Sequence, residues 1–395
     1  MRRRWVLLYC LSALSACTSG GGPSSDAANL ADSGTGSDAQ VRPDAGFLED
    51  AGPSDTGAMM PDSGAAMPDS SAAMPDSGAA MPDSGAAMPD SGAVMPDSGA
   101  ALPDAGAGQT LVVVAVGYGN RRTSTFDGLS WGNDEVVDPN GGDDNNLLRG
   151  VGYAGGRFVA VGGGGQGQSW VSDDGRTWTH HVTMLRAFVS DAVFGSGVWV
   201  AAGGNGLRLV STDRGESWHG DPGYYAGHYR GIAFGNGRFV AAGHRYGASS
   251  DGLTAVSTDG LSWQILEHNG LAGFSAIAFG QGLFIASGSS RLAVSTDGAQ
   301  WDEIALGSMS LSGPSVANGE VLIPANDGLW RSTDGRHYNF VRGFVPGSII
   351  YAFGRYFGVT WQSQRWTTTD LAMPWTRAQG NDGPAFTEIL EGLVP

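Results

Sequence analysis

The sequence predicts an all-β fold: a seven-bladed β-propeller of four-stranded antiparallel blades, closed by the C-terminal strand pairing into the first blade, behind a disordered N-terminal region. Three observations carry that expectation. A box, clearest as STDGLSW at 257–263, recurs seven times with its aspartates 47, 39, 46, 38, 37 and 36 residues apart, the interval of single propeller blades or solenoid turns. Short β-branched and aromatic runs, punctuated by Gly and Asn turns, precede the boxes in a constant order. The first box lacks one of those runs, and the C-terminus carries a spare one.

Taken in order, the chain opens with Arg2, Arg3 and Arg4 and an apolar stretch at 5–14, too short to span a bilayer as a mature helix. Leu14, Ser15, Ala16 and Cys17 follow, a tetrapeptide that resembles the lipobox of bacterial lipoproteins. The resemblance implies a signal peptide at 1–16, acylation of Cys17, and a mature protein anchored to a membrane of the cell envelope or surface without spanning it. Cys10 would leave with the signal, so the mature chain is expected to hold no disulfide.

Residues 17–109 read as a disordered acidic stalk. Repeats of the MPDSGAA type start at 60, 67, 74, 81, 88, 95 and 102, and proline follows each apolar position, which rules out a continuous helix. Ala, Ser, Asp and Pro bury too little apolar surface to offset the entropy of ordering. The net charge of −17 is uneven: residues 18–109 carry 14 acids against one arginine, and residues 110–395 carry 25 acids against 18 arginines. A domain this acidic, without a basic run, is expected to have no nucleic-acid partner.

The propeller is expected at 110–395. Blade four shows the whole unit: RGIAFG at 230–235, a turn, RFVAAG at 238–243, a loop, LTAVS at 253–257, the box, and SWQIL at 262–266. Blade one has only LVVVAVG at 111–117 before its box, whereas AFTEILEG at 385–392 matches the innermost strand of blade five. Supplying the missing strand from the C-terminus would close the ring and remove exposed sheet edges. A closed propeller of this kind is expected to be monomeric.

The box residues suit a tight turn between third and fourth strands. Asp127, Asp174, Asp213, Asp259, Asp297, Asp334 and Asp370 can accept turn N–H groups, and the glycine takes a positive φ. The terminal Trp131, Trp178, Trp218, Trp263, Trp301 and Trp375, with Tyr338 in the sixth box, can fill the space between blades. These boxes resemble those of the Asp-box or BNR-repeat propellers, written S-x-D-x-G-x-x-W, which STDRGESW at 211–218 fits with full spacing. Sialidases belong to that group, but no Arg-Ile-Pro motif is present, so no catalytic residue and no cofactor is assigned. The leading reading is a non-catalytic binding or assembly module for a carbohydrate or protein ligand, with a sialidase-like glycoside hydrolase as the alternative. Asp191, Glu388 and Glu391 are the acids nearest inner strands and are expected at solvated or turn-capping positions.

Ligand-binding candidates fall on the face opposite the boxes, where the loops of blades two to four are longest. They are His180, His181, Tyr224, Tyr225, His228, Arg230, His244, Arg245 and Tyr246. No metal site is assigned. The oxygen-rich run at 138–146 lacks the closing glutamate of a calcium loop, and the histidines lack zinc spacing.

Overall fold

The computed structural model describes residues 108–395 apart from 141–142, 183–186, 222–226, 248–250, 308–309 and 379–382. The signal peptide, Cys17, nearly all of the stalk, and Tyr224 and Tyr225 lie outside the described residues.

Residues 110–395 form seven four-stranded antiparallel sheets. Blade 4 is the longest: Gly227–Gly235, Arg238–Arg245, Gly252–Ser257 and Gln264–His268, in that order from the axis outward. Blade 1 is built from both ends of the domain. Phe386–Val394 is its innermost strand and pairs antiparallel with Thr110–Gly117, in the register Thr110↔Val394, Val113↔Glu391 and Val116↔Glu388. Arg121–Thr125 and Gly132–Glu135 complete it. Each innermost strand touches that of the next blade, and the blade 7 strand Ser348–Ala352 touches Phe386–Val394, so the ring is closed as the sequence predicts.

There is no single core. Seven apolar clusters each lie between two consecutive blades, and every one holds one box aromatic: Trp178 between blades 1 and 2, then Trp218, Trp263, Trp301, Tyr338 and Trp375, with Trp131 between blades 7 and 1. A blade has too little interior of its own, so stacking neighbours buries its faces.

The blade 4 box shows how the turn is made. Ser257 Oγ donates to Asp259 Oδ1 at 2.9 Å and accepts from Gly260 N at 2.8 Å. Asp259 Oδ1 also accepts from Leu261 N and Ser262 N, both at 2.8 Å, and Trp263 Nε1 donates to Gly260 O at 2.9 Å. Those Ser262 and Leu261 amides hold the Asp259 carboxyl down to about 2. Gly260 has φ +74°, and a Cβ there would come 2.6 Å from Val200 Cγ2 of blade 3, so the glycine serves both the turn and the approach of the next blade. In the degenerate seventh box Leu371 follows Asp370 and is buried in the cluster between blades 6 and 7, and Asp370 Oδ1 keeps the Ala372 amide at 2.9 Å.

Candidate functional site

Because 1–2 and 3–4 connections share one end of every blade with the boxes, the 2–3 connections and the links between blades share the other, the loop face. There, four consecutive innermost strands break register at one position, that of blade 1 at Thr387. The other β-bulges fall between Leu148 and Gly150 in blade 2, Val189 and Asp191 in blade 3, and Tyr229 and Gly231 in blade 4. Each leaves one residue outside the ladder, where a bulge re-aims its side chain: Arg149, Ser190 and Arg230. Ser190 Oγ donates to Tyr229 O at 2.8 Å, tying blade 3 to blade 4.

Arg149 and Arg230 meet over the same ring. The guanidinium carbon of Arg149 lies 4.8 Å from the centroid of Phe188, and that of Arg230 lies 5.7 Å from it. Phe188 has room because Gly204 stands beside it, where a Cβ would come 2.7 Å from the ring. His228 leans on Phe188 at 5.3 Å, Tyr246 meets His228 edge-on at 4.5 Å, and His244 lies 5.7 Å from His228. His228 Nδ1 accepts from Asn205 N at 3.3 Å, which puts the proton of the neutral ring on Nε2, and the Tyr246 hydroxyl donates to Asn205 Oδ1. Burial, with Arg230 and His244 adding to it, pushes the His228 imidazole down to about 4, so it is neutral at pH 7. Burial and the Arg149 charge lower Arg230 from its ordinary value.

Four of the residues singled out from sequence, His228, Arg230, His244 and Tyr246, therefore stand together. Arg245 does not join them and pairs with Glu267 at 2.9 Å. His180 belongs to a separate stack between blades 1 and 2: its ring lies on Trp170 at 4.5 Å, with the Arg122 guanidinium 3.8 Å from that indole, and its Nε2 is 3.0 Å from Gln168 Oε1. His181 follows it on the opposite side of the strand Thr179–Val182. Sequence reasoning missed Arg149 and Phe188, and also Tyr118 and the exposed Trp361, whose rings meet 5.8 Å apart on the loop face. A signal for Arg149 existed: LRGVGYAGGRFVAVG at 148–162 aligns with YRGIAFGNGRFVAAG at 229–243, placing Arg149 in register with Arg230.

The three inner-strand acids correct an expectation, since none is a solvated surface residue or a turn cap. Asp191 and Glu388 line the central channel. Glu388 Oε2 of blade 1 accepts from Val151 N of blade 2 at 2.9 Å, and Asp191 Oδ2 of blade 3 accepts from Ile232 N of blade 4 at 3.2 Å. Gly150 stands between them, where a Cβ would come 2.7 Å from Asp191 Oδ1. Water reaches both partly, yet protein encloses them. Burial raises both carboxyls, and the Asp191 charge raises Glu388 further. Glu391 takes the position held in five other blades by an aromatic that pairs with its second-strand neighbour, as Phe234 does with Phe239 at 4.7 Å. Its Oε2 is buried with no hydrogen-bond partner among the described residues, and burial pushes its carboxyl up to about 7.

The acid-rich run after blade 1 uses its carboxylates locally. Asp138 Oδ1 accepts from Asn140 N at 3.0 Å, and Asp143 Oδ1 accepts from Asn145 N at 2.8 Å. Among the described residues no group of three His, Cys, Asp or Glu side chains is placed to hold a metal ion.

No family model matches the sequence, and no curated protein matches it. Among solved structures the chain is similar to YCF48 bound to D1 peptide, at 15% identity and TM-score 0.46, over 67% of this chain and 89% of that one. It is similar to YCF48 from Cyanidioschyzon merolae, at 17% identity and TM-score 0.44, over 58% of this chain and 84% of that one. The WD40 propeller domain of Doa1 matches at 13% identity and TM-score 0.43, over 57% of this chain and 81% of that one. At such identities the likeness carries no information about a ligand.

Proposed function

We propose that this protein is a lipid-anchored, envelope-exposed propeller of the Asp-box type that acts as a non-catalytic binding or assembly module for a carbohydrate or protein ligand. The observation that carries this reading is the cluster of Phe188, His228, His244, Tyr246 and Arg230 on the loop face, an aromatic surface with a few polar groups converging on it. The seven boxes support the Asp-box assignment, and Cys17 after Leu14, Ser15 and Ala16 supports the anchor. Among the described residues no helix is long and apolar enough to cross a membrane.

Arrays of glycans and of peptides, probed with the purified chain, test the ligand reading. Tyr246→Ala is expected to weaken binding to any specific hit by about 2 kcal/mol, as loss of an interface aromatic does. Hits that bind wild type and Tyr246→Ala equally would overturn the reading. Cys17→Ser is expected to move the protein from the membrane fraction to the soluble fraction, and a variant that stays with the membrane would rule out the anchor. One observation favours the hydrolase instead: Asp191 and Glu388 are two interacting carboxyls with raised pKa values in the channel. Release of monosaccharide from an arrayed glycoside, abolished in Glu388→Gln, would establish that second reading.

A further inference from the structure

We propose that Arg149 and Arg230 form an oxyanion site on the loop face, with Phe188 as its floor and His228 and Tyr246 as its wall, so that the ligand of this face carries a carboxylate, sulfate or phosphate group. The inference rests on the reading that this face binds a ligand, and it names that ligand's chemistry.

Charge balance is the first argument. Most described arginines have a carboxylate at hydrogen-bond distance, as Arg121 has Asp134 at 2.7 Å, Arg157 has Asp173 at 2.6 Å and Arg331 has Glu320 at 2.7 Å. Arg230 makes no ion pair among the described residues, and Arg149 has only Asp144, at 3.6 Å. Two cations over one ring repel each other in a domain with acids to spare, so their pairing has a cost that a bound anion would offset. The burial that depresses Arg230 and the Arg149 charge acting on it are the physical sign of that cost.

A second arginine pair in the same molecule shows the contrast. Arg121 and Arg365 also share a ring, at 4.3 and 5.3 Å from the centroid of Phe386. There both side chains are buried, Arg121 is held bidentately by Asp134 and donates to Pro384 O at 2.9 Å, and the pair locks the C-terminal strand into the ring. Around Phe188 the arginines are more open: Arg230 is exposed as a residue although its guanidinium is crowded by the Phe188 ring. Only Asp144, 3.6 Å from Arg149, answers their charge, since His228 is uncharged and Tyr246 is hydrogen-bonded to Asn205. The guanidinium forks suit the two oxygens of a carboxylate or of a phosphate or sulfate edge. Equivalent bulges in blades 2 and 4 present both arginines at the same height of the ring, so the arrangement is built into the strands rather than into a loop.

The full-length protein is titrated with sodium phosphate, sodium sulfate and sodium acetate, ionic strength being held constant with sodium chloride, and binding is followed by calorimetry and by the arginine Nε–H resonances. One saturable site of roughly millimolar affinity is expected. Arg149→Gln and Arg230→Gln should each weaken it roughly tenfold or more, while Arg245→Gln, which removes a cation paired to Glu267, should leave it unchanged. Acetate binding as well as phosphate assigns a carboxylate ligand, and preference for the tetrahedral ions assigns a phosphate or sulfate ester. Absence of saturable binding, or binding that survives in the double variant with native circular dichroism, overturns the site. A neutral array ligand lost on Tyr246→Ala but not on Arg230→Gln would sink the oxyanion site and keep the binding-module reading; phosphate binding with blank arrays would do the reverse.

Discussion

Glu388 shows how far one side chain's behaviour depends on what surrounds it. In the unfolded chain it titrates as an ordinary glutamate; in the propeller, burial and the Asp191 carboxylate favour its protonated form. A carboxyl raised on folding contributes stability that is fully present below its unfolded pKa and is lost as pH rises through the folded value. Wild type is therefore expected to lose stability, relative to Glu388→Gln, as pH rises above the ordinary carboxylate range. Glutamine keeps an acceptor for Val151 N and carries no charge. Denaturant midpoints of both proteins at about pH 5 and about pH 8 check this, and a difference that stays constant between them would refute it.

At the scale of the element, the box is a turn whose residues each answer to a separate requirement. Gly260 and Gly237 are both glycines in tight turns, at φ +74° and +70°. Around Gly237 an added Cβ would meet nothing within 4 Å, whereas at Gly260 it would meet Val200. Gly237→Ala should cost only the left-handed conformation, about 1–2 kcal/mol. Gly260→Ala should cost that plus overpacking, for a total of about 2–4 kcal/mol. Equal losses in melting experiments on the two variants would show that the approach of blade 3 does not govern the box glycine. Leu371 in the seventh box fits the same logic from the other side, since it fills the gap between blades 6 and 7.

For the whole molecule, closure is what makes seven marginal sheets one cooperative unit. Phe386, Ile389, Leu393 and Val394 are buried in the C-terminal strand, and Phe386 sits against Arg121 and Arg365. Burial of four such side chains is worth about 6–12 kcal/mol, comparable with the roughly 5–15 kcal/mol total stability of an ordinary domain. Truncation after Gly383 should abolish the cooperative unfolding transition seen by near-ultraviolet circular dichroism. A truncated chain with an unchanged melting curve would show that blade 1 holds without its innermost strand.

The blade count, the order of strands within a blade and the exchange of the terminal strand were legible in the sequence, because repetition copies the same local physics seven times. STDGLSW must turn wherever it stands, and AFTEILEG reads as an inner strand wherever it falls in the chain. The candidate site was legible only in part. His228, Arg230, His244 and Tyr246 belong to one blade and are close in sequence, so a loop-length argument reached them. Arg149 and Phe188 come from blades 2 and 3, and their meeting with Arg230 depends on bulges and on blade packing, which no single repeat encodes. Asp191 and Glu388 sit far apart in the chain, and only ring closure brings their charges into one channel. Local pattern thus determined the architecture, while the electrostatics of the site were decided by which blades the closed ring sets side by side.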